Sequence, residues 1–409
     1  MNSTEVAIIG AGPYGLSIAA HLAAADVPFQ IFGPPMHNWR THMPKGMHLK
    51  SDGFASDLYD PGRRLTLRAY CADRGVPYAD LGLPVPVDVF CAYGLAFQSQ
   101  MVPSLDQRMI VNLERAESGF VLTLDDGQSL QARRVIVATG ITHFEYVPEE
   151  LRSLPPSLCT HSADNHDLAR YAGKRVLVLG RGASSTDIAA LLLAQGASVE
   201  IVSREPVIFH LPPGKKRPSI WHRMRNPNFG LGPNFRSAVY TLLPGVFHLL
   251  PQRLRQRVVR RHLGPAAVWF IRDQLVGHVP MHSGYQLQHA EARDGGVRVS
   301  FVDRAGKQLD VQADHLICGT GYRVDLQRLP FLGESLRSQV CCEGASPKLS
   351  LEFESSVPGL YFVGLASAVS FGPLERFALG AGYTARKISS HLRRTFVPKR
   401  SESLISARS

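Results

Sequence analysis

One structural plan occurs twice in this 409-residue chain, and that repeat limits the fold more than any other feature. The first copy has an apolar run, then Gly10, Gly12 and Gly15, then an Ala-rich helical run and a second apolar run. The second copy places Gly180 and Gly182 in the same pattern. A strand that ends in closely spaced glycines and continues into a helix indicates a dinucleotide-binding β-α-β unit. The sequence therefore predicts two such units.

The segments that follow the two units also match. Residues 112–140 read as short alternating strands that end in Val-Ile-Val-Ala-Thr-Gly, and residues 287–321 repeat this and end in Leu-Ile-Cys-Gly-Thr-Gly. Each has the pattern of a three-stranded meander with turns at glycine-containing pairs. We therefore expect an α/β fold with two Rossmann-like dinucleotide-binding lobes, each with a β-meander and a parallel sheet.

Two long segments and a short tail fall outside the repeat. Residues 34–107 form a Pro-interrupted insertion in the first lobe, and residues 206–286 form a basic, partly helical insertion in the second. The last residues are polar and predict disorder. The predicted division is residues 1–155 and 300–397 for the first lobe, 156–299 for the second lobe with its insertion, and 398–409 for the tail.

In the first loop each glycine has a separate task. Gly10 permits the tight turn, Gly12 lets the main chain approach a pyrophosphate, and Gly15 lets the helix pack closely on the strand. The free N–H groups at the start of the helix then bind the phosphates. An acidic residue that binds the ribose hydroxyls is expected at the end of the second strand, but Gly33 stands there. Another group, or water, therefore has to hold the ribose.

The second loop differs from the first in two places. It reads Gly-Arg-Gly-Ala-Ser-Ser from Gly180, so serine replaces the third glycine. Ser203 stands where NAD-specific folds have an acidic residue, and Arg204 follows it. Without the carboxylate a 2′-phosphate is not repelled, and an adjacent arginine can pair with it. This favours NADPH over NADH, with an ordinary surface role for Arg204 as the alternative.

The positive charge of the chain is concentrated in one segment. The formal net charge is +11, and residues 206–272 contain twelve Lys or Arg and no Asp or Glu, whereas the rest has 33 basic and 34 acidic residues. This distribution argues against a protein that coats nucleic acid, and it indicates either attraction for a local anion or a solvated helix face. Residues 244–263 are predicted to be helical and to pack on the core, with membrane-surface contact as the alternative. The expected apolar stripe is Leu254, Val258, Val259 and Leu263.

Several classes of site are disfavoured by what the sequence lacks. The six cysteines include no C-x-x-C pair, which argues against a disulfide reductase with a redox cysteine pair. His37, His42 and His48 lack acidic or cysteine partners at metal-binding spacing, so we interpret them as loop or core residues. No signal peptide and no apolar run of roughly 18 residues is found. We expect reduced thiols, a cytoplasmic location, no metal, no nucleic-acid partner and no integral membrane association.

Taken together, these motifs resemble class B flavin monooxygenases, especially the branch near the amine N-hydroxylases. The resemblance rests on the double glycine loop, on Ala-Thr-Gly140, on Thr-Gly321-Tyr and on Pro-Gly-Leu-Tyr-Phe-Val-Gly364. Gly319 replaces the alanine of the family, and His161 alone survives of a longer fingerprint before the second loop. Within the family the overall arrangement is similar to bacterial FAD-dependent urate hydroxylases.

The resemblance implies FAD at the first loop, NADPH at the second (NADH being the alternative), and transfer of one oxygen atom from O2 to a small molecule. Urate hydroxylation is the best single expectation, and N-hydroxylation of an amine or amino acid is the alternative. A non-oxygenating NAD(P)H:flavin oxidoreductase and a silent flavin-binding regulator are further alternatives. Lys50, Ser51 and Asp52 lie where the family has a flavin-contacting loop, so they are weak catalytic candidates beside a plain surface-loop role. The expected cofactor-binding residues are Gly10, Gly12, Pro13, Gly15, Trp39, Gly140, Gly180, Gly182, Ser184, Arg204, Thr320, Gly321 and Gly364.

Overall fold

The first lobe is built on a six-stranded sheet. Its strands are β1 (Asn2–Ile9), β2 (Phe29–Phe32), β3 (Ile110–Ala116), β4 (Gly119–Leu124), β5 (Ser129–Val137) and β16 (Leu360–Phe362). The strand order is β2-β1-β5-β4-β3, and β16 pairs with β5. The pairs of β1 with β2 and β5 are parallel, whereas β3, β4 and β5 form the antiparallel meander. This computed structural model describes residues 2–210, 230–232, 235–262 and 266–396.

The second lobe repeats this plan with a five-stranded parallel sheet and a separate three-stranded meander. Its strands are β6 (Cys159–His161), β7 (Arg175–Leu179), β8 (Ser198–Ser203), β9 (Met281–Ser283), β10 (Gln286–Arg293), β11 (Gly296–Val302), β12 (Gln308–Ala313) and β13 (His315–Cys318). The parallel sheet has the order β6-β13-β7-β8-β9, and the meander has the order β10-β11-β12. The predicted fold class is therefore confirmed.

Strand pairing moves one predicted boundary. The division at residue 300 falls inside β11, and β13 pairs with β7 through partners such as Leu316 and Leu177. Apolar side chains of the meander, among them Val299 and Phe301, share a buried core with Leu177. We therefore propose that the second lobe extends to Cys318, because the meander strands have to pair with each other and bury their apolar face on the sheet.

Helices cover the sheets and connect their strands. The helix α1 directly follows the first glycine loop, and α5 directly follows the second. A two-stranded ribbon, β14 (Cys342–Glu343) with β15 (Ser346–Pro347), lies before the last strand. The helices are α1 (Pro13–Ala24), α2 (His37–Thr41), α3 (Leu67–Asp73), α4 (Val87–Met101), α5 (Ala183–Ala194), α6 (Phe235–Leu242), α7 (Pro244–His248), α8 (Gln252–Arg261), α9 (Arg272–Leu275), α10 (Glu334–Gln339), α11 (Ala368–Phe371) and α12 (Ala381–Thr395).

The basic insertion departs from its sequence-based prediction. The helix expected over residues 244–263 is two helices, α7 and α8, because a proline at 251 interrupts the helical hydrogen bonding. The predicted apolar stripe is wrong, since Leu254 is exposed and Val258 and Val259 are only half-buried. The residue that α8 buries is Arg255, which pairs with Glu343 at 2.7 Å. The remaining stripe residue, Leu263, lies outside the described residues, as does the tail predicted at 398–409.

No helix within the described ranges has the length and apolar character needed to cross a bilayer.

Candidate functional site

The first glycine loop is a tight turn between β1 and α1. The Gly10 amide donates to the Phe32 carbonyl at 2.9 Å, which joins the loop to β2. A Cβ atom on Gly15 would lie 1.9 Å from the Gly10 carbonyl oxygen, so only glycine allows this approach of helix and loop. A Cβ atom on Gly12 would meet no protein atom within 4 Å. Gly12 therefore faces open space, as expected for a residue that lets a phosphate come close.

A cavity of about 440 Å³ opens directly onto this loop. Its wall includes the C-terminal ends of β1 and β5, the loop after β2, and a segment after β16. A crevice outside the carboxyl ends of parallel strands is where dinucleotides bind in such folds. Gly15 lies beneath the wall, in the loop–helix contact. The predicted residues that line the cavity are Gly10, Gly12, Pro13, Trp39, Gly140 and Gly364.

The end of β2, where the ribose-binding acid is missing, has an unusual shape. Gly33 has φ of +110° and donates its amide to the Asp106 carbonyl at 2.9 Å, so its own position has no side chain to offer. The chain then turns through Met36, at φ of 54°, into α2. This turn brings His37 and Asn38 to the cavity wall. Both side chains are hydrogen-bonding groups, and they are the nearest candidates along the chain for the ribose hydroxyls.

A buried carboxyl group lies at the floor of the cavity. Glu375 is 1% exposed, and its oxygens lie 3.0 to 3.2 Å from the hydroxyls of Ser367 and Thr384. Burial raises the pKa of Glu375 to about 8, although these hydroxyls oppose the shift. The Ser367 hydroxyl also lies 2.8 Å from the Gly364 carbonyl and has one proton. Ser367 can donate its proton to the Gly364 carbonyl and accept a hydrogen bond from Glu375 only when Glu375 is protonated.

The second glycine loop packs against its helix with a serine at the position of the third glycine. Ser185 occupies the place of the third glycine, is fully buried, and donates its hydroxyl to the Gly319 carbonyl at 2.9 Å. A Cβ atom on Gly319 would lie 2.1 Å from the Ser185 hydroxyl. The alanine of the family could not stand at this position beside the serine. The two departures from the expected motifs are therefore one compensated pair.

Arg204, the residue predicted to bind the 2′-phosphate of NADPH, has charged neighbours at the second loop. Arg204 is exposed directly after β8. Ser203 is buried, and its hydroxyl donates to the Glu205 carbonyl at 2.8 Å. Arg181, inside the glycine loop, forms an ion pair with Glu205. The predicted 2′-phosphate site therefore contains a second arginine and a carboxylate beside Arg204, and the sequence motif predicted neither.

The loop after β13 is tied to the first lobe rather than to its cavity. The Thr320 hydroxyl donates to the Tyr146 carbonyl, and the Tyr146 amide donates to the Gly321 carbonyl at 2.9 Å. His161 lies 3.1 Å from that same carbonyl through Nε2, while its Nδ1 accepts from the Ala163 amide. His161 is therefore neutral with its proton on Nε2, and burial lowers its pKa in agreement. Thr320 and Gly321 do not line the first cavity.

Polar side chains meet where the loop after α2 approaches the second lobe. The Lys50 ammonium donates to the Ala266 carbonyl at 3.2 Å, and loss of solvent, followed by the nearby Arg376, lowers its pKa. Asp187 on α5 is 8% exposed, and its Oδ1 has no hydrogen-bond partner among the described residues. Burial raises the pKa of Asp187 to about 7, while the charge of Lys50 opposes the shift. Of the three weak candidates, Lys50 is therefore brought to a polar junction, and Ser51 and Asp52 are half-buried beside it.

Two of the cysteines and the three histidines near α2 contact neighbouring side chains. Cys159 and Cys318 are buried on neighbouring strands with their sulfur atoms 3.7 Å apart, well beyond the roughly 2.05 Å of a disulfide. All six cysteines are free. His37 and His42 meet edge to face, and His48 meets Phe270 in the same way. Across the described part of the chain no group of three or more metal-binding side chains is found.

This arrangement has known counterparts. Residues 93–227 match the family described as pyridine nucleotide-disulphide oxidoreductase. The structure resembles the ornithine N-hydroxylase of Kutzneria sp. 744, with a TM-score of 0.74 at 16% identity over 96% of this chain and 99% of that one. It also resembles the flavin-containing monooxygenase of Stenotrophomonas maltophilia, with a TM-score of 0.66 at 18% identity over 97% of this chain and 99% of that one. At these identities the structural likeness shows the fold alone.

Curated relatives extend the comparison. Indole-3-pyruvate monooxygenase YUCCA1 of Oryza sativa is 29% identical over 49% of this chain and 48% of its own length. An FAD-dependent urate hydroxylase of Xanthomonas campestris is 30% identical over 51% of this chain and 47% of its own length. The chain thus spans about half the length of these relatives. A ferredoxin–NADP reductase of Gluconacetobacter diazotrophicus is 26% identical over 90% of this chain and 84% of its own length. The predicted resemblance to class B flavin monooxygenases is confirmed, and the relatives differ in their substrates.

Two functional candidates were missed by sequence reasoning. Glu375 and Asp187 are single acidic residues in otherwise apolar or mixed surroundings, and neither belongs to a motif with fixed spacing. One signal was available for Asp187, because a carboxylate within the apolar face of a helix has to be paired, protonated or ligand-bound. Glu375 follows Gly-Pro-Leu, and that local sequence gives no comparable sign.

Proposed function

We propose that this chain is a single-component monooxygenase that uses FAD and NADPH to insert one oxygen atom from O2 into a small molecule. The observation that carries the proposal is the cavity at the first glycine loop together with a second, equivalent loop on a second Rossmann-like lobe. A flavin that is reduced by a nicotinamide needs both sites in one protein.

The first loop suits FAD. Open space at Gly12 and the close contact at Gly15 leave the N-terminus of α1 free to bind a pyrophosphate. The cavity wall is mostly apolar, which suits a flavin ring held out of water. Bound FAD supplies the chemistry of accepting a hydride and activating O2. Trp39 and Glu375 line the same cavity and would contact FAD bound there.

The second loop suits NADPH. The N-terminus of α5 presents free amides, and Arg181 and Arg204 flank the end of β8, where the 2′-phosphate of NADPH lies in such folds. We propose that NADPH breaks or shares the ion pair of Arg181 with Glu205, because a phosphate is the stronger partner for an arginine. A cytoplasmic location is part of this proposal, since NADPH and reduced thiols are both maintained there.

The polar junction between the lobes is the proposed substrate side of the site. The Asp187 oxygen that has no partner among the described residues can accept from a hydrogen-bond donor, and Lys50 offers a cation nearby. With a pKa of about 7, Asp187 can hold or release a proton near neutral pH. A substrate that carries both N–H donors and acidic character satisfies the two groups together. Ser51 and Asp52 lie on the same loop as Lys50 and remain candidates for contacts with the substrate.

Urate remains the best single proposal for the substrate. It has N–H donors for Asp187, it is an anion that Lys50 and the basic insertion attract, and a urate hydroxylase is among the relatives. N-hydroxylation of an amine or amino acid is the alternative within the same class. An amine would bind to Asp187 as a cation, and Lys50 would then oppose it unless the substrate also carries a carboxylate.

A reductase is the second candidate function. The sequence similarity to a ferredoxin–NADP reductase extends over nine-tenths of the chain, further than the sequence similarities to the two curated monooxygenases named above. Such a protein passes electrons onward without oxygenating a substrate.

One experiment separates these proposals. Purified protein is mixed with NADPH and each candidate substrate under ¹⁸O2, and NADPH consumption and labelled product are measured together. The monooxygenase proposal expects substrate-stimulated NADPH oxidation and one labelled oxygen in the product. Fast NADPH oxidation with ferredoxin or a quinone, without labelled product from any urate or amine substrate, would support the reductase and contradict the proposal.

A further inference from the structure

The basic insertion carries an apolar surface that the rest of the described chain leaves uncovered. Five aliphatic side chains between residues 242 and 254 are exposed, and Leu249 is 73% exposed. They lie on or between the three short helices α6, α7 and α8. The five residues, here named the leucine surface, are Leu242, Leu243, Val246, Leu249 and Leu254.

The opposite side of these helices is fixed to the first lobe. Phe247 is buried and its ring packs against Gly372, where an added Cβ atom would lie 3.1 Å from the ring. Arg255 is buried in its ion pair with Glu343, and Arg376 donates to the carbonyls of Val259 and His262 at 3.4 and 3.3 Å. The leucine surface therefore belongs to helices that are already packed, and its exposure follows from their orientation on the lobe.

The exposed charges that α8 carries beside the leucine surface are all positive, while Glu343 and Glu352 act on His248 from the first lobe. Four exposed arginines of α8 flank the leucine surface, and no ion pair joins them to a described acidic residue. The sequence offers no acid nearby either, because residues 206–272 contain none. Like charges that are left unpaired in a purely structural cap repel each other. These four are Arg253, Arg257, Arg260 and Arg261.

We propose that the leucine surface docks on an anionic phospholipid membrane, as a peripheral contact. Helical segments that combine exposed leucines with exposed arginines are the pattern of segments that lie in the membrane interface. Arginines near such a surface are attracted to acidic lipid headgroups, and the leucines insert between the acyl chains. The proposal concerns a surface far from either glycine loop in the sequence, and it stands whether or not the proposed oxygenation is correct.

Two other occupants fit the observations less well. A second copy of the chain would bring the arginines of both copies together in a symmetric contact, which like-charge repulsion disfavours. An acidic protein would complement the charge, but the centres of protein interfaces are enriched in aromatic residues, and all five residues here are aliphatic. A membrane needs no matched shape, so scattered leucines suffice.

The test is sedimentation of the full-length, FAD-loaded protein with large vesicles. One set contains phosphatidylglycerol and phosphatidylcholine in equal parts, and the other contains phosphatidylcholine alone. We expect binding to the anionic set, weakening with added salt, and little binding to the neutral set. Unbound protein with anionic vesicles at low salt overturns the proposal.

Three variants assign the binding to this surface. Replacing the four arginines by glutamine should weaken binding roughly a hundredfold or more, since each contributes on the order of a factor of five or more. The pair Leu243→Gln and Leu249→Gln should weaken it about tenfold through lost insertion. A matched control, Leu81→Gln with Leu83→Gln, removes leucines that are 50% and 40% exposed in the first lobe and should change nothing.

The remaining outcomes are also decisive. If the control pair weakens binding as much as the Leu243 and Leu249 pair, the leucine surface is not the docking site. If the arginine variant loses binding but the leucine variant does not, the contact is adsorption of charge without insertion, and the proposal is wrong. Binding to polyglutamate but not to vesicles would indicate an acidic protein, and leucine-dependent dimers in sedimentation velocity would indicate a second copy. Circular dichroism and FAD content confirm that each variant folds.

Discussion

The two glycine loops follow the same sequence plan, yet they lie in different surroundings. The first loop borders a largely apolar cavity, and its third glycine is buried against Gly10. The second loop has Ser184 exposed at the start of α5, and its third position is Ser185. In the first lobe the loop and the helix pack closely because Gly10 and Gly15 have no side chains. In the second lobe the Ser185 side chain occupies the equivalent space. Gly319, directly after β13, has no side chain that would collide with it.

This difference separates the two proposed ligands. A cofactor that stays bound through many turnovers is best held in a deep, largely apolar cavity such as the one at the first loop. A reductant that binds and leaves in each turnover needs an exposed phosphate site, and charged groups at the end of β8 provide it. We infer that the first loop retains FAD and that the second exchanges NADPH.

The largest effect is expected from closing the open space at Gly12. Gly12→Val places a side chain where the pyrophosphate is proposed to lie, with no protein atom within 4 Å of its Cβ position. The protein should fold normally and lose its yellow colour, with FAD affinity reduced by about a hundredfold or more. Absorbance spectra and FAD titration measure this.

The matched variant is Gly182→Val in the second loop. It should keep its FAD and lose NADPH binding, so the two variants form a cross-over pair. A Gly12→Val protein that is fully loaded with flavin would sink the assignment of FAD to the first loop.

The next effect tests the compensated pair of the second loop. Gly319→Ala puts a methyl group 2.1 Å from the Ser185 hydroxyl, and overpacking of this kind typically costs about 1–3 kcal/mol of unfolding free energy. The double variant Gly319→Ala with Ser185→Gly should recover part of that loss, because the contacts with Oγ and Cβ of residue 185 disappear while the contact with its Cα atom at 2.9 Å remains. Urea denaturation of the single and double variants gives the coupling energy. Simple additivity would show that the two positions are independent.

The sequence predicted the parts of the molecule that depend on local spacing. Glycines after an apolar strand and before a helix identified both loops, because the turn itself requires them. The relation between Ser185 and Gly319 could not be predicted, since it joins residues 134 apart through the pairing of β13 with β7. The apolar stripe predicted for α8 was also wrong because a residue far away in the sequence decides which side chain is buried. Periodicity pointed to its leucine and valines, but Glu343, on a distant ribbon, draws Arg255 inward instead.

A smaller effect concerns the choice of nicotinamide cofactor. Losing a charge-assisted hydrogen bond costs about 1.5–3 kcal/mol, so Arg204→Ala should raise the KM for NADPH by roughly tenfold or more. The KM for NADH should hardly change. The control is Arg175→Ala, at the far end of β7, where the arginine pairs with Asp314. Equal effects of Arg204→Ala on both cofactors would show that another residue, with Arg181 as the first candidate, reads the phosphate.

A further comparison concerns the buried carboxyl groups of the two lobes. Burial raises the pKa of Glu375 to about 8 from an ordinary 4.5, so the folded state keeps a proton that the unfolded state has released. The stability from this group is fully present below pH 4.5 and is lost as pH rises towards 8. Glu375→Gln should therefore flatten the fall of Tm over this range, as thermal melts at several pH values will show. An unchanged slope would mean that Glu375 is ionised in the folded protein.

Asp187 should behave differently from Glu375. Hydroxyl groups satisfy Glu375 inside the protein, whereas Asp187 has an oxygen without a partner among the described residues. Asp187→Asn should change the pH profile of substrate-dependent turnover more than it changes Tm, because its partner is proposed to be the substrate. A variant that is destabilised but has the wild-type pH profile would assign Asp187 to structure alone.

The contrast between a retained and an exchanged nucleotide is tested most directly by anaerobic reduction. Protein purified without added cofactor is mixed with NADPH in a stopped-flow instrument, and the long-wavelength flavin absorbance is followed. The account predicts that the protein already carries FAD, that NADPH bleaches it with a saturable rate, and that gel filtration then removes the nicotinamide but not the flavin. Protein that arrives without flavin, or bound flavin that NADPH does not reduce, would contradict it.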